Sequence, residues 1–379
     1  MKTAIINGKI ITPDKILLDK ALIFEDKKIT QITDTPPADA QIIDAAGNWV
    51  APGFVDVHIH GSMGADTMDE AKDSIRIIAE GIAPFGVTSF LPTTMTMSMA
   101  DVHRSLDNVR YWMNQEIEGA KVVGAHMEGP FINVKYKGAQ NPEYIIAPNF
   151  KAIENYTDVI KLITYAPEMD KGLGFTKELK SKTGISLSLG HTDATFQQAM
   201  EAIHAGCSHI THLFNAQTPL HHRDPGVVGA ALMSDVFTEV IADKIHINPH
   251  NFQFVFHNKG RDRVVLITDS MRAGCMKDGC YDLGGQPVIV KDGAARLESG
   301  VLAGSVLTLN HGVKNFYEHT DATLSDAIHA ASLNPARSIG IDATKGSLEI
   351  GKDADIILLD DQFACQLTIS EGRTVYARS

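Results

Sequence analysis

Four cysteines in 379 residues are too few and too scattered for a disulfide framework: Cys207, Cys275, Cys280 and Cys365 form no CxxC pair. They read as free thiols in a reducing compartment. Basic charge is also in deficit, with 34 Lys and Arg against 46 Asp and Glu and a formal net charge of −12. That balance excludes a broad nucleic-acid footprint and offers nothing to an anionic membrane surface, although a few local cations can still hold an anionic small molecule. No stretch approaches ~18 uninterrupted apolar residues, and Met1–Ile11 lacks the basic start and apolar run of a secretion signal. A Walker-type glycine loop, an internal repeat and a low-complexity tract are likewise missing. The expectation is a soluble, cytoplasmic chain that engages neither nucleic acid nor membrane.

What is there changes character along the chain. Near the start, Ala4-Ile5-Ile6, Lys9-Ile10-Ile11 and Ala21-Leu22-Ile23-Phe24 read as short strands between turns; near the end, Asp355–Leu359 and Cys365–Ile369 do the same. Neither set can bury a face alone, so residues 1–51 and 345–379 are predicted to build one small β-domain together. Between them, residues 52–344 alternate short apolar runs with helical spacing. The runs are Gly53–His60, Val87–Leu91, Lys121–Glu128, Lys161–Pro167, Ile185–His191, Ser208–Phe214, Thr238–Ala242 and Val264–Asp269. Helices are predicted over Asp69–Pro84, Ala100–Glu118, Thr195–Ala205 and Pro249–Lys259. Eight strands with helical crossovers suit a (β/α)8 barrel or a doubly wound open sheet. Four of the eight runs end in His, Glu or Asp and a fifth carries His212 near its end, on the face where barrel enzymes place their sites, and this favours the barrel.

The strongest chemical signal is Gly53-Phe54-Val55-Asp56-Val57-His58-Ile59-His60-Gly61. Alternate side chains share a strand face, so Asp56, His58 and His60 point one way and the two imidazoles can grip one metal ion. Other strand ends supply Glu128, His191, His212 and Asp269. A carboxylate and two imidazoles fill a coordination shell with an open position, and an unligated carboxylate beside them moves protons. By parity His126 lies beneath this site, whereas His209 faces the helices. Phosphate recognition falls to the backbone at Phe214-Asn215-Ala216 and to Arg223, with His246 nearby, although Arg223 alone equally suits a surface ion pair.

These stretches resemble the amidohydrolase superfamily, and within it the deacetylases of phosphorylated amino sugars. The resemblance rests on Ala51–Gly61, His126-Met127-Glu128-Gly129-Pro130-Phe131, Gly190-His191-Thr192, Thr211–Ala216, Thr268-Asp269, Leu302-Ala303-Gly304-Ser305, Asn334-Pro335-Ala336 and Gly346–Asp355. His-Met-Glu-Gly-Pro and His-Leu-Phe-Asn-Ala are the segments most specific to the deacetylases. The resemblance implies a distorted (β/α)8 barrel, a small β-sandwich built from both termini, and a homodimer. It implies Glu128, His191 and His212 as shared metal ligands, with His58 and His60 at a second position that some members lose. One or two divalent ions per subunit, Zn2+, Fe2+ or Mn2+, follow from this. Gln140, Asn215, Ala216, Arg223, His246 and Leu302 match substrate-binding positions, some of them reaching across the dimer; the family commonly has His where this chain has Gln140.

The activity implied is hydrolysis of the acetamide of N-acetyl-D-glucosamine 6-phosphate. The metal polarises the amide carbonyl and acidifies water, and Asp269 takes the water's proton and passes it to the leaving nitrogen. The nearest rival is a cyclic-amide or purine-ring hydrolase on the same barrel; many of those carry a metal-bridging Lys at a strand end, and here the third strand ends in Glu128. A non-catalytic protein on the fold is the other rival, and it predicts erosion of metal and proton-transfer positions that are all present.

Overall fold

The computed structural model describes residues 2–378. Its central sheet is a ring of parallel strands: Phe54–Ile59, Val87–Thr94, Lys121–Val122 continued by Ala125–Glu128, Ile160–Tyr165, Ser186–Leu189, His209–Ile210, Phe237–Ile241 and Val264–Ile267. Consecutive strands pair in parallel around this ring. Just past the eighth strand, Ser270 bridges Ile59 of the first. The Asp269 N–H donates to the His58 carbonyl and the His60 N–H to the Ser270 carbonyl, each at 2.9 Å. The barrel therefore closes where the predicted site residues lie. The third strand breaks at Val123-Gly124, where Gly124 has φ 153°. A Cβ at Gly124 would sit 2.3 Å from the Lys161 side chain and 2.9 Å from the Val159 carbonyl, so only glycine lets the chain step past its neighbour.

Helices form where the apolar spacing places them, with shorter ends than predicted. Ser74–Ile82 buries Ile75, Ile78, Ala79 and Ile82, one stripe of a helix laid on the barrel. Met99–Met113, Phe196–Ala205 and His250–Lys259 occupy the other predicted spans. Phe196–Ala205 opens with a reciprocal cap between Thr195 and Gln198 and ends at Gly206. Among the described residues no helix is long and apolar enough to cross a membrane. All four cysteines are free thiols.

The two ends of the chain share a pair of sheets. Lys2–Ile6, Ala21–Glu25, Lys28–Thr33 and Gln41–Asp44 form one; Lys9–Ile11, Ile16–Leu17 and Trp49–Pro52 join Ile356–Leu359, Cys365–Ser370 and Arg373–Ala377 in the other. Trp49–Pro52 runs antiparallel to Ile356–Leu359, with Val50 opposite Leu358. Ile5, Leu22, Phe24 and Ile29 of the first sheet pack on Ile10, Val50, Ile356, Leu358 and Ile369 of the second. This is a small β-sandwich in the sense of two faced sheets. A further antiparallel sheet, Gly279–Leu283, Gln286–Lys291 and Ala294–Leu297, lies outside the predicted elements and is inserted after the eighth barrel strand.

Candidate active site

Glu128 ends the third barrel strand, 2 % exposed, and four imidazoles converge on it. His191 Nε2 and His212 Nε2 each lie 3.1 Å from Oε1, and His58 Nε2 lies 3.4 Å from the same oxygen. His60 Nε2 is 3.2 Å from Oε2. Asp269 Oδ1 stands 3.3 Å from His60 Nε2 and 3.5 Å from His58 Nε2. His191, His212 and Asp269 all have left-handed backbones, with φ of 50°, 25° and 49°. Non-glycine residues held there are strained by roughly 1–3 kcal/mol each and cluster at functional sites.

The opposite ring nitrogens explain the aim. His60 Nδ1–H donates to the Thr93 carbonyl at 3.1 Å, His191 Nδ1–H to Tyr136 at 3.0 Å and His212 Nδ1–H to Asn215 at 3.1 Å. His58 Nδ1–H donates to the Glu239 carboxylate at 2.9 Å. Carbonyls only accept, so the Nδ1 proton is fixed and each neutral ring offers its Nε2 lone pair to the centre. His191 Nε2 and His212 Nε2 sit 3.2 Å apart, both turned toward the same oxygen of Glu128. His58 Nε2 is buried without a hydrogen bond. Nitrogen donors orphaned in this way around a buried carboxylate fit a divalent cation. Two donor sets share Glu128, one with His191 and His212 and one with His58 and His60, and a third group beneath them joins His58 to His126 and Glu239.

Electrostatics without a metal agree with that reading. Burial favours neutral His60, but hydrogen bonds to Asp269 and Glu128 lift it to about 9. Burial likewise opposes charge on His58, and Glu239, Glu128 and Asp269 raise it well above its usual value. Against the upward push of burial, His58 and its neighbouring imidazoles hold Glu128 well below the usual carboxylate range and Asp269 below it too. The carboxylates stay ionised, and without a metal His58 and His60 hold protons that a cation would displace.

Other predicted residues fall differently. Asp56 shares the buried face but stops one layer down, accepting from Thr268 Oγ1 at 2.6 Å. His126 sits beneath the centre, with Nδ1–H on the Val57 carbonyl at 3.1 Å, Nε2 2.7 Å from Thr164 Oγ1, and its ring edge-on to His58. His209 does not face the helices: it is fully buried and its Nε2 lies 3.3 Å from Glu239 Oε1 inside the barrel. Parity failed because the extended run ends at Ile210, and His212 has already turned to φ 25°. Sequence reasoning missed Glu239 itself, fully buried in the seventh strand. Its signal was a lone charge amid Thr238–Ala242.

A cavity of about 550 Å³ opens over Glu128, walled by Lys137, Gly138, Gln140, Asn215, Ala216, His246, Leu302 and, from the inserted sheet, Leu283. Five of the six predicted substrate residues line it. Arg223 does not: it lies exposed in the loop after Ala216, its guanidinium 2.7 Å from His222 Nε2. Gln140 is already engaged, donating to Glu128 Oε2 at 2.8 Å and accepting from the Thr96 N–H at 2.7 Å. His246 Nδ1 is braced by Asp243 at 2.7 Å.

Residues 49–375 match the model of the amidohydrolase family. The chain belongs to that family. It is 39 % identical over 378 residues to the N-acetylglucosamine-6-phosphate deacetylase of Bacillus subtilis, covering 97 % of this chain and 95 % of the relative. It is 35 % identical over 370 residues to the N-acetylgalactosamine-6-phosphate deacetylase of Escherichia coli O157:H7, covering 96 % and 97 %. The crystal structure of N-acetylglucosamine-6-phosphate deacetylase from Pasteurella multocida superposes with a TM-score of 0.95 at 32 % identity over the full length of both chains. Amidohydrolases are metal-dependent, and the Glu128 donor sets are this member's groups able to bind one.

Proposed function

We propose that the chain removes the acetyl group from N-acetylglucosamine 6-phosphate, in the cytoplasm and as a homodimer. The observation that carries the reading is Asp269, ionised and within 3.5 Å of two of the four imidazoles gathered on Glu128, at the floor of a cavity of sugar size. Full-length similarity to a deacetylase of that substrate supports it.

Glu128, His191 and His212 would hold one divalent ion, and His58, His60 and Glu128 a second, with Zn2+, Fe2+ or Mn2+ each suited to imidazole and carboxylate. Such an ion supplies Lewis acidity, polarising the acetamide carbonyl and making water more acidic. Asp269 accepts the proton of the attacking water as the new C–O bond forms, then returns it to the sugar nitrogen as the C–N bond breaks. Acetate and the free amine leave. Gln140 contributes by fixing Glu128 through its amide N–H, a different task from a direct sugar contact. Asn215, Ala216 and Leu302 shape the sugar pocket. His246 meets the phosphate from within the subunit, and Arg223, which is outside its own cavity, reaches the phosphate of a partner subunit.

Protein purified without added metal should contain one to two equivalents of a divalent ion and release acetate from the 6-phosphate. Unphosphorylated N-acetylglucosamine and the 4-epimeric N-acetylgalactosamine 6-phosphate are the comparison substrates. Failure to release acetate from either phosphorylated sugar while metal is bound would refute the reading; preference for the epimer would correct the substrate.

A further inference from the structure

Three of the four converging histidines rest their Nδ1–H on neutral carbonyls, of Thr93, Tyr136 and Asn215. His58 alone rests on a carboxylate, Glu239, at 2.9 Å. The same Glu239 oxygen accepts the His212 backbone N–H at 2.9 Å, and the other oxygen faces His209 Nε2 at 3.3 Å. Glu239 and His209 are both fully buried in the barrel interior, below the cavity.

We infer that Glu239 is a positioning residue that fixes the tautomer and aim of His58 and supplies the negative charge needed for a second cation there. This inference rests on the reading that His58 and His60 form a second metal position. The charge count motivates it. The Glu128, His191, His212 set and the His58, His60, Glu128 set share a single carboxylate, and Asp269 beside His58 and His60 is given to proton transfer. Two divalent cations held on one shared anion repel each other, and an anion one imidazole away lowers that cost. A carboxylate on Nδ1–H also makes the imidazole more electron-rich at Nε2 than a carbonyl does, so His58 becomes a stronger donor. Burying a carboxylate in a barrel core is costly unless charged partners satisfy it. Glu239 is satisfied at one oxygen by the His58 ring and the His212 amide, and its other oxygen lies 3.3 Å from His209 Nε2 without a hydrogen bond. Because one oxygen also anchors the His212 amide, Glu239 ties the His58 ring to the turn that carries a ligand of the other set.

The test uses the full chain stripped by a chelator and titrated with Zn2+ alone, read by calorimetry and by bound metal after desalting. Wild type should take up two equivalents. Glu239→Gln keeps shape and an acceptor oxygen but loses the charge; it should bind the first equivalent as wild type does and the second ~10- to 100-fold more weakly, the usual effect of removing a partner behind a ligand. Glu239→Asp, which restores charge, should recover part of the second affinity. A wild type that binds one equivalent would refute the second position. Two unchanged equivalents in Glu239→Gln, or equal weakening of both, would refute the positioning role alone. Should the variants fail to fold, the wild type still decides: in histidine-15N-labelled Zn2+ protein, the Nδ1–H signal lost in His58→Gln should lie well downfield of the other three. A signal among the others would overturn the inference.

Discussion

Gly190→Ala probes how the layer beneath the centre holds His191 in place. Gly190 joins the fifth barrel strand to His191, and a Cβ there would lie 2.7 Å from Thr211 Cβ and 2.8 Å from Thr164 Cγ2. Carbon atoms pack best at about 3.5–4.0 Å, so each neighbour must yield by roughly 0.7 Å or more. Neither yields cheaply. Both are β-branched and stiff at χ1, both are fully buried, and their hydroxyls are joined at 2.6 Å. That chain runs on to Ser188 at 2.6 Å and His126 at 2.7 Å. Overpacking of this kind costs about 1–3 kcal/mol. For a chain of this size that corresponds to a fall in Tm of roughly 1–4 °C. If the backbone moves instead, His191 Nε2 leaves its 3.1 Å position on Glu128, and metal is lost with stability. The assay is a melting curve beside metal analysis, with Gly184→Ala as the control. At Gly184 an added Cβ meets nothing within 4 Å, so the control should melt as wild type or slightly higher. Wild-type melting and full metal in Gly190→Ala would refute the claim that this layer is closed to one methyl group.

Asp269→Asn should lower turnover ~10²- to 10⁴-fold with metal content unchanged, because the carboxylate carries protons and the donor sets do without it; a near-normal rate would remove the assignment. Arg223→Ala should cut kcat/KM for the phosphorylated sugar roughly ten- to a hundredfold, from the ~1.5–3 kcal/mol of a charge-assisted contact, and spare the unphosphorylated one. An equal loss on both, or none, would leave Arg223 a surface residue. Metal uptake should depend on pH through His60, raised from 6.5 to about 9 in the metal-free protein. Below about 9 the ring holds a proton that an ion must displace, so affinity at that position should climb about tenfold per pH unit from 7 and level off near 9. The same shift favours the metal-free fold fully below about pH 6.5, and that contribution fades as pH rises through 9. Proton release in weakly buffered titrations checks this, and uptake independent of pH from 7 to 9 would contradict it.

The barrel was legible because its strands are short apolar runs between helical segments, several of them ending in His, Glu or Asp, a pattern that survives without knowing its neighbours. The same holds for His58, His60, Glu128, His191, His212 and Asp269, which all sit at strand ends and so converge once the ring closes. What was not legible depends on how strands meet. His209 was assigned outward by counting back from His212, and the count is void where the backbone leaves the extended region. Glu239 hides mid-strand, its purpose visible only when ring closure leaves a single strand between the seventh and the first. Gln140 looked like a sugar contact, yet both ends of its amide are taken by Glu128 and the Thr96 N–H. Arg223 is close to Ala216 in sequence and outside the cavity in space. The inserted sheet was overlooked, although Gln286–Lys291 alternates buried and exposed residues between the turns at Gly284-Gly285 and Asp292-Gly293.

The pairing of Val50 with Leu358 also sets a timetable for synthesis. Trp49–Pro52 emerges about 300 residues before the strand that covers its edge, an interval of ~15–60 s at elongation rates of ~5–20 residues per second. All eight strands of the ring emerge first. Until Ile356–Leu359 arrives, the apolar face of Ile10 and Val50 lacks half its cover on the ribosome. Nascent chains stalled near residue 340 should therefore be captured by chaperones through their first fifty residues, even when the barrel behind them is complete.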